Sequence, residues 1–307
     1  MTDLRAHPAA RAATETAASQ PYGATLARMA NPPVKTRMNP ADFVPDVDHL
    51  RVERSETGLV VVTLDYPERR NAMSDPMTAA WVRLCSAIQA DDTVRAVVVT
   101  GADKAFCSGG DLAWLGSDPD ASVDLLRTRM LDFYRSWLAM REVSVPVIAA
   151  INGAAIGAGA CIALMADIRI ASDRAKFGVP FLQLGLHPGM ATTYLLPEVV
   201  GVAAARDLLY TGRVIDAPRM MNLGLVSEVI EHEQLGARAR ELGERVASNA
   251  PIAARLLKSA LRDGPMPTLD AAVQWEGIAQ PVTMATSDLH EGLAAAREKR
   301  APSFTGR

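Results

Sequence analysis

Two short stretches carry almost no side chains where chemistry could occur. One is "CSGGD" (107–111), and the other is "NGAAIGAGAC" (152–161), in which seven of ten residues are Gly or Ala. Gly allows unusual backbone angles and close approach of a ligand to the main chain. A helix that starts in such a stretch also offers unpaired N–H groups and the positive end of its dipole. Two loops of this kind could each supply one N–H to a single oxygen, forming an oxyanion hole, where losing one donor typically costs about 10²–10³ in rate. The same composition also suits tight helix–sheet packing.

Other chemistries find no support in the sequence. "GAAIGAG" is not GxGxxG, no GxxxxGK[ST] is present, and no GxSxG nucleophile elbow occurs. Cys85, Cys107 and Cys161 form no CxxC pair, and His7, His49, His187, His232 and His290 are scattered. No disulfide framework, metal site or separate cofactor is therefore expected.

The elements that must position the two loops alternate between strand and helix. "GLVVVTLDYP" (58–67), "VRAVVVTG" (94–101), "VPVIAAI" (145–151), "IRIAS" (168–172) and "LGLVSEVI" (223–230) read as strands. "SDPMTAAWVRLCSAIQADD" (74–92) begins with Ser-Asp-Pro helix-start chemistry and spaces Met77, Trp81, Leu84, Cys85 and Ile88 as one helical face. Residues 121–142 and 159–167 read as further helices, and the chain is helical in pattern from about 232. The alternation predicts an α/β fold. Loops at the carboxyl ends of such strands gather ligands, which places both small-residue stretches in one region.

The 307 residues suit one large domain with a helical appendage. The boundaries expected are 1–45, rich in Ala, Pro, Thr and Arg and predicted disordered; 46–230, the core; and 231–307, a C-terminal helical region. Net charge is −3, so no nucleic-acid partner is expected. The longest apolar stretch is broken by Asn152 and three glycines, so no membrane span is expected. Reduced thiols point to the cytoplasm.

Several segments together resemble the crotonase (enoyl-CoA hydratase/isomerase) superfamily. They are "RRNAMS" (69–74), "DDTVRAVVVTGADKAFCSGGDL" (91–112), "VPVIAAINGAAIGAGACIALMADIRIASDRAKFGVP" (145–180), "LGLHPGM" (184–190), "YTGRVIDA" (210–217), "GLVSEVI" (224–230) and "EGLAAAREKRAPSF" (291–304). The resemblance runs from about residue 50 to the end. It implies a spiral of ββα repeats with a C-terminal helical trimerisation region, and homotrimers that can pair into hexamers. It also implies acyl-CoA thioester substrates of fatty acid metabolism, with coenzyme A present only as part of the substrate. The shared chemistry stabilises a thioester enolate between two backbone N–H groups, which fall here on Gly110 and Ala158.

The sequence departs from the family's hydratases at two positions. Where they carry one catalytic glutamate, three residues after the second donor, this chain has Cys161; where they carry the other, after the proline of "FGVP", it has Phe181. Cys161, close to a helix start, and His187, in the "LGLHPGM" loop, are the candidates for a relocated acid or base. Tyr194 is a weaker one. Asp111 is expected to cap a helix and Asp167 to act structurally. Ser108, beside the first donor, is expected to contact the substrate. Trp114, Leu115, Phe181 and Met190 are expected to line an acyl pocket, and Arg69, Lys104 and Lys299 to meet coenzyme A. The reading is an acyl-CoA-processing lyase or isomerase. The alternatives are a non-catalytic acyl-CoA-binding protein and a structural pseudoenzyme.

Overall fold

A computed structural model describes residues 49–111, 116–262 and 266–307. The predicted disorder of 1–45 and the side chains of Trp114 and Leu115 lie outside the described residues. The strands form two sheets. The larger has the order β1 (Leu50–Arg54), β2 (Leu59–Leu64), β3 (Ala96–Gly101), β5 (Val147–Ile151), β7 (Ile168–Ser172), β10 (Glu228–Ile230). β1 and β2 are antiparallel, and every other pairing in this sheet is parallel. The smaller sheet has the order β4 (Ala105–Cys107), β6 (Ala154–Ile156), β8 (Lys176–Gly178), β9 (Ile215–Asp216), parallel except for β8 with β9.

Each turn of the chain runs through a strand of the large sheet, a corner, a short strand of the small sheet and then a helix. β3 and β4 are followed by α2 (Val123–Leu138), β5 and β6 by α3 (Ala158–Leu164), and β7 and β8 by α4 (Thr192–Thr211). This is the expected spiral of ββα repeats. α1 (Asp75–Ala90) follows β2; the Ser74 hydroxyl accepts from Met77 N–H, and Met77, Trp81, Leu84, Cys85 and Ile88 are all buried. A cap of this kind contributes about 1 kcal/mol. α5 (Ala217–Asn222) leads toward β10, and α4 is kinked at Gly201.

The central strands read as unbroken apolar runs because both faces are covered, as parallel sheets require. Val60, Val62, Val97 and Val99 join the main core with α1, whereas Leu59, Ala96, Val98 and Ile148 face the opposite way. That second face is covered by α6 (Leu235–Ala247), through Leu235, Ala239 and Ala247. The first helix beyond the last strand is therefore a layer of the core, and the boundary expected at residue 230 divides elements that pack together. α7 (Pro251–Leu261), α8 (Leu269–Met284) and α9 (Ser287–Glu298) follow it.

Two buried asparagines fasten the corners. Asn71 Oδ1 accepts from Tyr66 N–H, and its amide donates to Ala102 O and Ala105 O. Asn152 Oδ1 accepts from Gly101 N–H at 3.0 Å, and its amide donates to Asp103 O and Ala105 O. Each side chain thus joins one ββ corner to the next. Replacing Asn152 with Ala strands the buried Gly101 N–H and should destabilise the fold by about 1–3 kcal/mol. Urea unfolding checks this, and an unchanged midpoint would remove the assigned role.

Candidate active site

The two small-residue loops leave neighbouring strands. β4 pairs with β6 in parallel, Cys107 opposite Ala155, and both chains then turn out of the small sheet side by side. The pairing brings glycines against backbone. A Cβ on Gly159 would stand 2.7 Å from the Cys107 carbonyl carbon. A Cβ on Gly109 would stand 2.8 Å from Ile156 O and 3.2 Å from Ala158 N, and Gly109 also has φ +98°. These are separations that no side chain tolerates, so glycine is required at both positions.

The first loop is fixed from its other edge by the segment before α1. Ser108 N–H donates to Arg70 O at 3.0 Å, and Met73 N–H donates to Gly109 O at 2.9 Å within a parallel bridge between Met73 and Gly110. In a parallel ladder the N–H groups of successive residues alternate sides. The Gly110 N–H is accordingly directed away from Met73. In the second loop, Gly157 N–H donates to Gly178 O, and Gly157 O accepts from Ala160 N–H and Cys161 N–H. Ala158 and Gly159 open α3, beyond reach of that helix's own carbonyls. No side chain caps this helix start. Among the described residues, the N–H groups of Gly110 and Ala158 have no hydrogen-bond acceptor. α3 is only seven residues long, so any favourable potential comes from these individual N–H groups more than from a long dipole.

Aromatic rings bracket the loops. Phe181 Cζ lies 4.0 Å from the Cβ position of Gly157, and Phe133 Cζ lies 3.9 Å from that of Gly110. Phe181 was expected there. Phe133, on α2, was not; its only signal in the sequence is a place on an amphipathic helix. Met190 is fully buried in the core, with φ 50°. Arg69 and Ser108 lie together, the Ser108 hydroxyl donating to Arg69 O at 3.2 Å. Arg69 and Lys104 are exposed. Lys299 closes α9 in a left-handed conformation, and no contact among the described residues ties it to the loops. The cap expected of Asp111 would act on residues 112–115, outside those described. Tyr194 is largely exposed.

The candidate acid–base residues differ sharply in environment. Cys161 is completely buried; Thr192 Oγ1 lies 2.8 Å from its sulfur, with Gly157 O at 3.4 Å. Burial pushes its thiol up to about 12, outweighing the hydrogen bond from Thr192. The expectation that a helix start would activate this thiol is therefore corrected: desolvation wins, and the sulfur stays protonated at neutral pH. His187 is exposed, and its Nδ1 lies 2.8 Å from Pro188 O. A carbonyl only accepts, so Nδ1 is the donor in this contact. Asp167 plays the expected structural part: it accepts from Val147 N–H at 2.7 Å and pairs with Lys258 at 3.0 Å.

A model of the enoyl-CoA hydratase/isomerase family matches residues 54–307, and the chain belongs to that family. It is 35% identical over 253 residues to the 1,2-epoxyphenylacetyl-CoA isomerase of Escherichia coli K12, covering 82% of this chain and 97% of that protein. It is 33% identical over 258 residues to the crotonyl-CoA hydratase of Syntrophomonas wolfei, covering 84% and 98%. The crystal structure of an enoyl-CoA hydratase from Bacillus anthracis superimposes with a TM-score of 0.80 at 33% identity, covering 85% of this chain and all of that one.

Cys85 and Cys107 are also buried, and burial raises both thiols to about 12. All three cysteines should therefore resist iodoacetamide at pH 8 in the folded protein and react fully in urea. Mass spectrometry reads the adducts, and rapid labelling of Cys161 in the native state would restore it as a candidate nucleophile.

Proposed function

We propose that this chain is an acyl-CoA-processing enzyme of the hydratase/isomerase type, holding the thioester carbonyl oxygen between the N–H groups of Gly110 and Ala158. The observation that carries this reading is the approach of Gly109 to Ala158 N, with neither the Gly110 nor the Ala158 N–H finding an acceptor among the described residues. When the α-carbon of a thioester loses a proton, charge moves to the carbonyl oxygen. Rigid donors already aimed at that oxygen stabilise the enolate without reorganising.

Proton transfer at the carbon chain needs a separate group. Cys161 and Phe181 occupy the positions where family hydratases carry glutamates, and neither ionises usefully here. His187 is exposed and is the proton acceptor in this reading. Phe133 and Phe181 supply apolar walls for the acyl group, while the exposed Arg69 and Lys104 suit the phosphates of coenzyme A. The protein works as a homotrimer, or a pair of trimers, in the cytoplasm. The apolar side chains left exposed on α7 and α8, such as Leu257, Leu261, Leu269 and Val273, support assembly. The loss of both carboxylates also favours a second reading, a protein that binds acyl-CoA without turning it over.

Ala158→Pro tests the donor. Proline suits the first position of a helix but has no N–H. The variant should melt like the parent and lose about 10²–10³ in kcat/KM on a panel of enoyl-CoA substrates. Unchanged turnover would refute the assignment, and a parent inactive across the panel would favour the binding reading. His187→Asn should lower kcat by about 10²–10⁴. An unaltered kcat would exclude this imidazole as the base.

A further inference from the structure

Among the described residues, Cys161, Thr192 and His187 near the turn from Gly157 to Cys161 have hydrogen-bond partners in the protein, and Tyr134 does not. Cys161 and Thr192 are hydrogen-bonded to each other, and the Thr192 hydroxyl also meets Gly189 O. His187 Nδ1 is held by Pro188 O. Tyr134 is the exception. Its ring ends against the loop that precedes α4: a Cβ on Gly189 would lie 2.8 Å from Tyr134 Cζ, with the hydroxyl closer still. Among the described residues, nothing accepts from or donates to that hydroxyl, although the residue is half-buried.

Its place relative to the two loops is set by α2. Phe133 and Tyr134 are consecutive, their rings meeting edge-on with centroids 6.2 Å apart. Phe133 reaches toward Gly110, on the first loop. Tyr134 reaches the opposite side, at Gly189, whose carbonyl is also within 3.7 Å of Cys161 Sγ. The phenol therefore stands beside Cys161, where family hydratases place a carboxylate. This hydroxyl, half-buried beside the Phe133 ring and without a partner among the described residues, is free to meet a polar atom of a bound acyl group.

We propose that the Tyr134 hydroxyl donates a hydrogen bond to an oxygen on the acyl portion of the bound thioester, so that this site selects acyl-CoA molecules bearing a hydroxyl or carbonyl on the acyl chain over plain hydrocarbon ones. The inference rests on the thioester reading above. Burial, with a smaller contribution from Cys161, raises the ionisation of Tyr134 above the usual phenol range. The group therefore keeps its proton at neutral pH and acts as a donor, not a base. Sites that hydrogen-bond a substrate oxygen discriminate against the analogue that lacks it, whereas apolar pockets discriminate weakly.

Calorimetric titration separates the possibilities. Butyryl-CoA and both enantiomers of 3-hydroxybutyryl-CoA are titrated into the full chain and into Tyr134→Phe, with melting followed alongside. The parent should bind at least one hydroxyacyl thioester roughly tenfold more tightly than butyryl-CoA. Tyr134→Phe, which removes a hydroxyl without a protein partner, should bind butyryl-CoA like the parent and lose the preference. Equal affinities in the parent, or a preference that survives in Tyr134→Phe, would overturn the assignment while leaving the thioester reading intact. Failure of every thioester to bind would overturn both.

Discussion

Gly159 lies with its Cα against the Cys107 carbonyl, and Gly109 lies against Ile156 O and Ala158 N. These two close approaches are possible only because β4 and β6 are parallel neighbours, and they hold the exits of two separate ββα turns at main-chain distance. Much of the remaining structure serves that contact. Asn71 and Asn152 lock the corners that feed the short strands, Met73 fixes the far edge of the first loop, and Gly178 O fixes the second at Gly157. Donors that belong to the backbone are insensitive to most side-chain substitutions. They survive as long as the glycines that permit their approach survive.

The chemistry that depends on side chains is under no such restraint, and this chain illustrates the difference. The Cys161 thiol, buried and hydrogen-bonded to Thr192, remains neutral, and Phe181 adds only apolar surface. The electrostatics of the site therefore rest on neutral donors. In the proposed reading, fixed N–H groups would act at the carbonyl oxygen, the phenol of Tyr134 would stand beside the acyl chain, and His187 would be the proton acceptor. An arrangement of this kind favours stabilising negative charge that develops on the ligand over bringing a formal charge to it.

The sequence made the framework legible where periodicity was long enough to read. The helix from Ser74 and the apolar runs of β2, β3, β5 and β7 follow from capping and from burial on both faces. The small sheet was not legible, because strands of two or three residues carry no period, and Cys107 and Ile156 read as parts of loops. β1, next to a segment of different composition, and α4, interrupted by Pro197 and Gly201, were missed for similar reasons. The two donor loops stood out by composition, but their pairing is a property of strand register that spacing alone does not contain; the rule that loops gather at strand carboxyl ends placed them in one region, and the family resemblance named the donors. Phe133 and Tyr134 were hidden in an ordinary amphipathic helix. Only the fold reveals that its inward face meets Gly110 and Gly189 as well as the core.

The most direct test of the two-donor site is the vibrational spectrum of a bound thioester carbonyl. An acyl-CoA labelled with ¹³C at the thioester carbon allows isotope-edited infrared difference spectroscopy to isolate that single stretch. Polarisation by two fixed N–H groups predicts a band at lower frequency than in water, narrowed by the uniform environment, that moves back toward the solution value when proline replaces Ala158. A bound carbonyl whose frequency matches that of the free thioester in water, or one indifferent to the proline, would contradict it.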